Sequence, residues 1–231
     1  VKMALVPWAY SNPHVDRKNL GTQQFTFFGK LVEIRQDVSV DINIDQNTGF
    51  KLWDGAYLLS YYVEKHLKTL KGKTCVELGS GCGVVSIVTW LAGAKVIATD
   101  LPEVIEHTQK IIDDNVKRIS SDNDTNDLDT KSITCMHLNW AECPDMEKPD
   151  IILGSDIIYH PNTTDLLIKT LNKLCGDKTE IYISYKPRGL GEEVFFDKLK
   201  ENGFICSTID KNFYPSDFSM SSYVIYKIRK C

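Results

Sequence analysis

Val76-Glu77-Leu78-Gly79-Ser80-Gly81-Cys82-Gly83 stands between the apolar run 74–78 and the apolar run 84–92. The first run is strand-length. The second is helix-length, and Gly93 stops it in the usual C-terminal position. Glycines at 79, 81 and 83 let the backbone turn sharply and approach a ligand with no Cβ in the way. In an open parallel sheet such a strand-to-helix turn faces the crevice at the strand carboxyl ends, where ligands bind. The spacing excludes the commoner glycine loops. A dinucleotide fingerprint needs its third glycine where Val84 stands, and a phosphate loop needs a terminal Gly-Lys-Ser/Thr that is absent. A Gly-x-Ser-x-Gly nucleophile elbow is absent as well.

Working outward, the periodicity keeps alternating. Downstream, 95–99, 132–138, 150–154, 180–185, 204–209 and 223–228 read as strands, and 103–116, 164–174 and 191–202 as helices. Strands with little polar alternation, separated by helices, indicate a mainly parallel sheet covered on both faces. The last two strands lack a helix between them and are expected to pair antiparallel at an edge. Upstream, 53–67 reads as a mostly buried helix and 45–49 as turn chemistry. The stretches 25–28 and 31–40, joined at Gly29-Lys30, read as a hairpin, and 1–24 as an irregular arm. The expected organisation is an arm and β-hairpin, 1–50, packed on a core domain, 51–231.

Composition bounds the rest. The chain has 231 residues, enough for one domain or two small ones. With 42% hydrophobic and 25% charged residues it is ordinary globular material, not a disordered or fibrous chain. A net charge of −4 argues against a broad nucleic-acid face, and no run of apolar residues is long enough for a membrane span. Met3 reads as the natural start, with no signal segment. The seven cysteines (75, 82, 135, 143, 175, 206, 231) form no Cys-x-x-Cys pair, which argues against a zinc site or a disulfide framework and for a reducing compartment, the cytosol. The five histidines show no metal-ligand spacing, so no metal is expected. In 120–130 every residue but Leu128 is Ser, Asp, Asn or Thr. Asp122, Asp124 and Asn126 imitate the start of a calcium loop, but Asp127 replaces its glycine and Ile133 its distal glutamate. A mobile surface loop is the expectation there.

Glu77 to Gly83, Glu-x-Gly-x-Gly-x-Gly, is similar to the first motif of seven-strand S-adenosylmethionine-dependent methyltransferases. That cofactor carries an ammonium and a sulfonium and no phosphate, so a carboxylate near the loop suits it. Asp100 ends the next strand, 23 residues after Glu77. A carboxylate there can accept hydrogen bonds from two ribose hydroxyls; it can also cap the helix opened by Pro102. Four further stretches narrow the class: Ile34-Arg35-Gln36-Asp37, Leu52-Trp53-Asp54-Gly55-Ala56, Leu138-Asn139-Trp140, and Asp150 to Tyr159 with its Asp-x-x-Tyr, Asp156–Tyr159. Together they resemble the methyltransferase-like 21 group of protein-lysine methyltransferases, over nearly the whole chain. Met3-Ala4-Leu5-Val6-Pro7 resembles the amino terminus of the member that modifies heat-shock chaperones.

The resemblance implies an α/β fold: a Rossmann-like seven-strand sheet, mostly parallel with one antiparallel edge strand, helices on both faces, and an N-terminal β-hairpin extension. It implies S-adenosylmethionine as cofactor, with S-adenosylhomocysteine as product. Gly79, Ser80 and Gly81 would line the methionyl part beside Glu77, Asp100 would hold the ribose, and Trp140 would lie beside the adenine. Trp53 and Ser155 would complete the wall, and Asp156 and Tyr159 would face the amine. Periodicity alone leaves Trp53 as a core anchor and Trp140 as a strand-end aromatic. Asp156 directly follows an apolar strand, where a carboxylate is costly unless paired or working. Lys186 and Arg188 follow the strand 180–185 and suit an acidic partner surface. The expected partner is a non-histone protein, a heat-shock chaperone first, with the enzyme a monomer in the cytoplasm and also the nucleus. Methylation of a small amine or a histidine is the alternative within the same chemistry. A non-catalytic binding module is the alternative outside it, and an NAD oxidoreductase is disfavoured by Glu77 and Val84.

Overall fold

The protein is described by a computed structural model over residues 20–41, 45–121 and 128–231. The expected arm up to residue 19 lies outside these residues. So does 122–127, the acidic stretch with its calcium-like Asp122, Asp124 and Asn126.

The chain opens with a hairpin, β1 (Thr22–Phe27) and β2 (Lys30–Arg35). Phe28 and Gly29 connect them at φ 50° and 72°, the pair of positive values whose twist matches the flanking strands. Strict alternation puts Phe25, Phe27, Val32 and Ile34 inward, all buried. Glu64 Oε1 accepts the Phe28 N–H at 2.6 Å. The Asn115 amide bridges both the N–H and the carbonyl of Glu33, at 2.9 and 2.7 Å. The hairpin is thus tied to two helices of the main layer. β2 stops at Arg35, short of the expected residue 40. The last rung joins the Gln36 N–H to Gly21 O; beyond it Asp37 turns toward Phe50 O, so 38–40 have no strand to pair with.

A 3-10 turn, Asp45–Phe50, leads into α1 (Asp54–His66). Then come β3 (Thr74–Leu78), α2 (Val84–Leu91), β4 (Lys95–Asp100), α3 (Pro102–Ser120) and β5 (Ile133–His137). β6 (Ile151–Ser155), α4 (Thr164–Leu174), β7 (Glu180–Tyr185), α5 (Val194–Glu201), β8 (Phe204–Thr208) and β9 (Val224–Lys230) complete the fold. Two helices differ from expectation. α3 runs on to Ser120 because Ile119 is buried and the Arg118 guanidinium reaches Leu31 O. α5 begins after Glu192, whose carboxylate is engaged by the preceding backbone.

The seven strands lie in the order β5-β4-β3-β6-β7-β9-β8. All neighbours run parallel except where β9 meets β7 and β8. The antiparallel pairing expected at one edge is present, with β9 slipped between β7 and β8. Successive strand residues serve opposite layers: Ile151 and Leu153 pack with α1, α2 and α3, and Ile152 packs with α4 and α5. This is why the strands read as continuous apolar runs. Because β4 and β5 extend one way from β3 while β6 and β7 extend the other, the order reverses between β3 and β6. That crevice is where ligands bind in such sheets. Among the described residues, no helix is long and apolar enough to cross a membrane.

Candidate functional site

The carboxyl ends of β3, β4, β5, β6 and β7 open onto one cavity of about 470 Å³, within the range of small-molecule sites. Nine of the ten residues expected at the site line it: Trp53, Gly79, Ser80, Gly81, Asp100, Trp140, Ser155, Asp156 and Tyr159.

Its floor is the glycine loop. Gly79 and Gly81 sit at φ 64° and 50°, in the region that favours glycine. A Cβ on Gly79 would stand 2.7 Å from the Ile157 side chain, and one on Gly81 would stand 3.1 Å from Gly49 O. The loop is held from two sides: Ser80 N–H donates to Thr99 O at 2.9 Å, and Thr108 Oγ1 donates to Gly81 O at 2.5 Å. Asp100 takes the Gly81 N–H on Oδ2 at 2.7 Å and the Leu101 N–H on Oδ1 at 2.8 Å. A carboxylate offers about four lone-pair sites, so Asp100 fixes the loop and keeps acceptor capacity. Burial pushes its carboxyl up to about 6, against the pull of the two N–H donors.

Glu77 lies outside the cavity lining. It is 1% exposed beneath the loop, where Oε2 accepts from Ser86 Oγ at 2.5 Å and Oε1 has no partner among the described residues. Burial pushes the carboxyl from its ordinary 4.5 up to about 8. The folded protein therefore retains a proton that the unfolded chain has released. Stability from this group is present at low pH and is lost as pH rises from about 4.5 to about 8, at up to about 1.4 kcal/mol per unit. Glu77→Gln cannot titrate and should flatten that slope in urea denaturation between about pH 5 and 9. A slope identical to wild type would place the titration elsewhere.

The opposite wall is Asp156. It follows β6 in the left-handed region, φ 54°, where aspartate is among the tolerated residues. It is 7% exposed. Oδ1 accepts from Arg188 Nη2 at 2.8 Å, and Oδ2 accepts the Gly55 N–H at 3.0 Å and the Tyr223 hydroxyl at 3.4 Å. Burial raises its carboxyl and the Arg188 guanidinium opposes the shift. The same burial, with Asp156 beside it, raises the Tyr223 hydroxyl. Trp53 stands at the N-cap position of α1 and ties its indole N–H back to Thr48 O at 2.9 Å, and the Arg188 guanidinium lies 5.4 Å from its ring centre. Trp140 enters from the turn after β5 and carries the Thr170 hydroxyl on its carbonyl. Tyr159 and Leu190 also line the cavity.

The reading from sequence gave no site role to Tyr223, Gly55 or Lys51, nor to the 45–49 turn, whose Gly49 closes over the loop. Arg188 was legible only as a charge after a strand. The donor set fits S-adenosylmethionine: glycines that leave room for a ligand, a carboxylate with spare acceptors, two indole rings, and a buried Ser80 hydroxyl with no partner among the described residues.

Residues 34–202 match the family described as lysine methyltransferase. The chain is 34% identical over 193 residues to EEF1A lysine methyltransferase 3 of Xenopus tropicalis, covering 81% of this chain and 79% of that protein. It is 30% identical over 234 residues to protein N-lysine methyltransferase METTL21A of Mus musculus, covering 99% and 97%. Among solved structures, a TehB-like SAM-dependent methyltransferase from Corynebacterium glutamicum superposes with TM-score 0.55 at 12% identity, over 75% of this chain and 87% of that one. Magnesium protoporphyrin IX methyltransferase from Synechocystis with bound SAM gives 0.51 at 18%, over 74% and 76%. At these identities the two structures speak for the fold.

Proposed function

The chain belongs to the lysine methyltransferase family, and from that premise we propose that its cavity brings a lysine of a non-histone protein to the cofactor, with Asp156 and Tyr159 on the amine side. The activity is S-adenosylmethionine-dependent protein-lysine N-methylation. The observation that carries the site reading is the pairing of two carboxylates on one cavity, Asp100 beside the glycine loop and Asp156 across from it.

The bound S-adenosylmethionine supplies an electrophilic methyl group on a positively charged sulfur. Gly79, Ser80 and Gly81 would hold its amino-acid end, and Asp100 would take the ribose hydroxyls on its spare acceptor sites. Trp140 would flank the base, while Trp53 and Ser155 would close the wall. The chain's main contribution is alignment, which supplies roughly 7–11 kcal/mol in well-oriented systems. A lysine has a pKa of about 10.4, so roughly one in 2,500 is neutral at pH 7. A bare carboxylate would deepen that deficit by favouring the ammonium. Before the amine arrives Asp156 is paired: Arg188, Tyr223 and Gly55 share its charge. A lysine that takes the place of Arg188 there enters as the ammonium and has to lose its proton before attack. The remaining field of Asp156 is spent later, on positive charge that develops at nitrogen.

A heat-shock chaperone and EEF1A, which the name of the Xenopus tropicalis relative carries, are the first substrate candidates. The free cysteines, with Cys75, Cys82 and Cys175 buried, suit a reducing cytoplasm. The test is labelled S-adenosylmethionine with a cell lysate, followed by mapping of the modified residue. Methyl-lysine is the expected product; label confined to histidine or to small amines would overturn the lysine reading.

A further inference from the structure

A cation already occupies the amine end of the cavity. The Arg188 guanidinium lies between Asp156, at 2.8 Å, and the Trp53 ring, at 5.4 Å from its centre. A carboxylate and an aromatic face are the two partners that a lysine ammonium seeks. The backbone beneath Arg188 is pinned. Glu192 is fully buried and accepts the N–H groups of Arg188, Gly189 and Leu190. Tyr185 donates its hydroxyl to the same carboxylate at 3.2 Å. Gly189 and Gly191, at φ 70° and 84°, let the strap turn around that anchor. The strap is anchored through its backbone, whereas the guanidinium is held by side-chain contacts alone. The Arg188 side chain is 21% exposed and that of Asp156 is 4% exposed. The arginine has a way to solvent and its partner has none.

We propose that Arg188 is a specificity-determining residue that holds the seat of the substrate amine. It yields only to a side chain that brings its own positive charge on a stem long enough to reach Asp156. The inference rests on the reading of Asp156 as the amine-facing carboxylate. A neutral or short side chain that displaced the guanidinium would leave a buried carboxylate without its cation, which is strongly unfavourable. A lysine exchanges one cation for another against the same oxygens, so its entry is nearly balanced. The cost is one of population: apparent affinity is lowered by the fraction of time the seat is taken.

The probe is n-butylammonium, which has the charge and stem of lysine, titrated by NMR into the S-adenosylhomocysteine complex. n-Butanol serves as the neutral comparator. Arg188→Met keeps an apolar stem beside Trp53 and removes the competing charge. It should bind n-butylammonium about tenfold more tightly than wild type, with no gain for n-butanol. Arg188→Lys keeps a charge but loses the fork and some reach, so a smaller gain is expected. Equal or weaker n-butylammonium binding by Arg188→Met, or a gain shared with n-butanol, would overturn the proposal. Should Arg188→Met fail to fold, Arg188→Lys decides alone: tighter binding than wild type supports the role, and equal or weaker binding removes it. Wild-type methyl transfer to lysate lysines is read separately. Its absence sinks the lysine reading, whereas transfer without amine competition sinks only the role of Arg188.

Discussion

Asp156→Asn should lower single-turnover methyl transfer by about 10²–10³ at saturating cofactor, the usual consequence of losing one preorganised electrostatic group. The substitution keeps the shape of the side chain, and its amide oxygen can still accept the Gly55 N–H that Oδ2 now holds. What goes is the negative charge at the amine end. The Asn nitrogen is a donor and cannot face the Arg188 guanidinium as Oδ1 does at 2.8 Å. Cofactor affinity should move much less, because the side-chain hydrogen bonds of Asp156 go to Arg188, Gly55 and Tyr223 rather than to the glycine loop or Asp100. The rival assignment treats Asp156 as a purely structural joint between β6, α1 and Tyr223. It expects lower thermal stability with the transfer rate preserved in the protein that remains folded. Rates equal to wild type would therefore remove Asp156 from the chemistry and leave Tyr159 as the next residue to test in that wall.

Asp100→Ala should weaken cofactor binding by roughly 1.5–3 kcal/mol, about 10- to 150-fold, the range for hydrogen bonds to a charged group. Two effects run together in the alanine variant: loss of acceptors for the ribose and release of the Gly81 N–H. Acidity separates them. The Asp100 carboxyl is held up at about 6, and its protonated form is the poorer acceptor. Wild-type affinity should therefore fall as pH drops through about 6, and the alanine variant should lack that step. Calorimetry at about pH 5 and 7.5 reads both. Unchanged affinity in the variant would take Asp100 out of the site.

The fold was legible wherever local pattern and tertiary demand agree. β3, α4 and β7 begin and end where periodicity places them, because each is bounded by turn or capping chemistry and buries both its faces or one broad stripe. β2 was overread because Val38 and Val40 favour strand, while the hairpin partner runs out at Gly21. Leu128 stands out in the acidic stretch because it packs on the core, and the Trp90 indole fixes the neighbouring Asp129 carbonyl. At the site, Gly79, Gly81, Asp100 and Asp156 announce themselves as small or charged residues at the ends of apolar strands. Tyr223 carries no such signal. It reaches Asp156, 67 residues away in the chain, because β9 enters the sheet beside β7, a pairing that local spacing does not encode.

That insertion of β9 bears on how the chain becomes an enzyme during synthesis. β3 to β7 emerge in order, and each can dock on a neighbour already made or soon to follow. β8 emerges with no partner, because its only sheet neighbour is β9. Its residues after Phe204 face solvent even in the finished fold, so β9 is what holds it in the sheet. When β9 slides in, it joins β8 to the sheet and carries Tyr223 onto Asp156 in one motion. The glycine loop thus rests on strands from the first part of the domain, whereas the Tyr223 contact of Asp156 waits on the strand that comes last in the sheet's chain order.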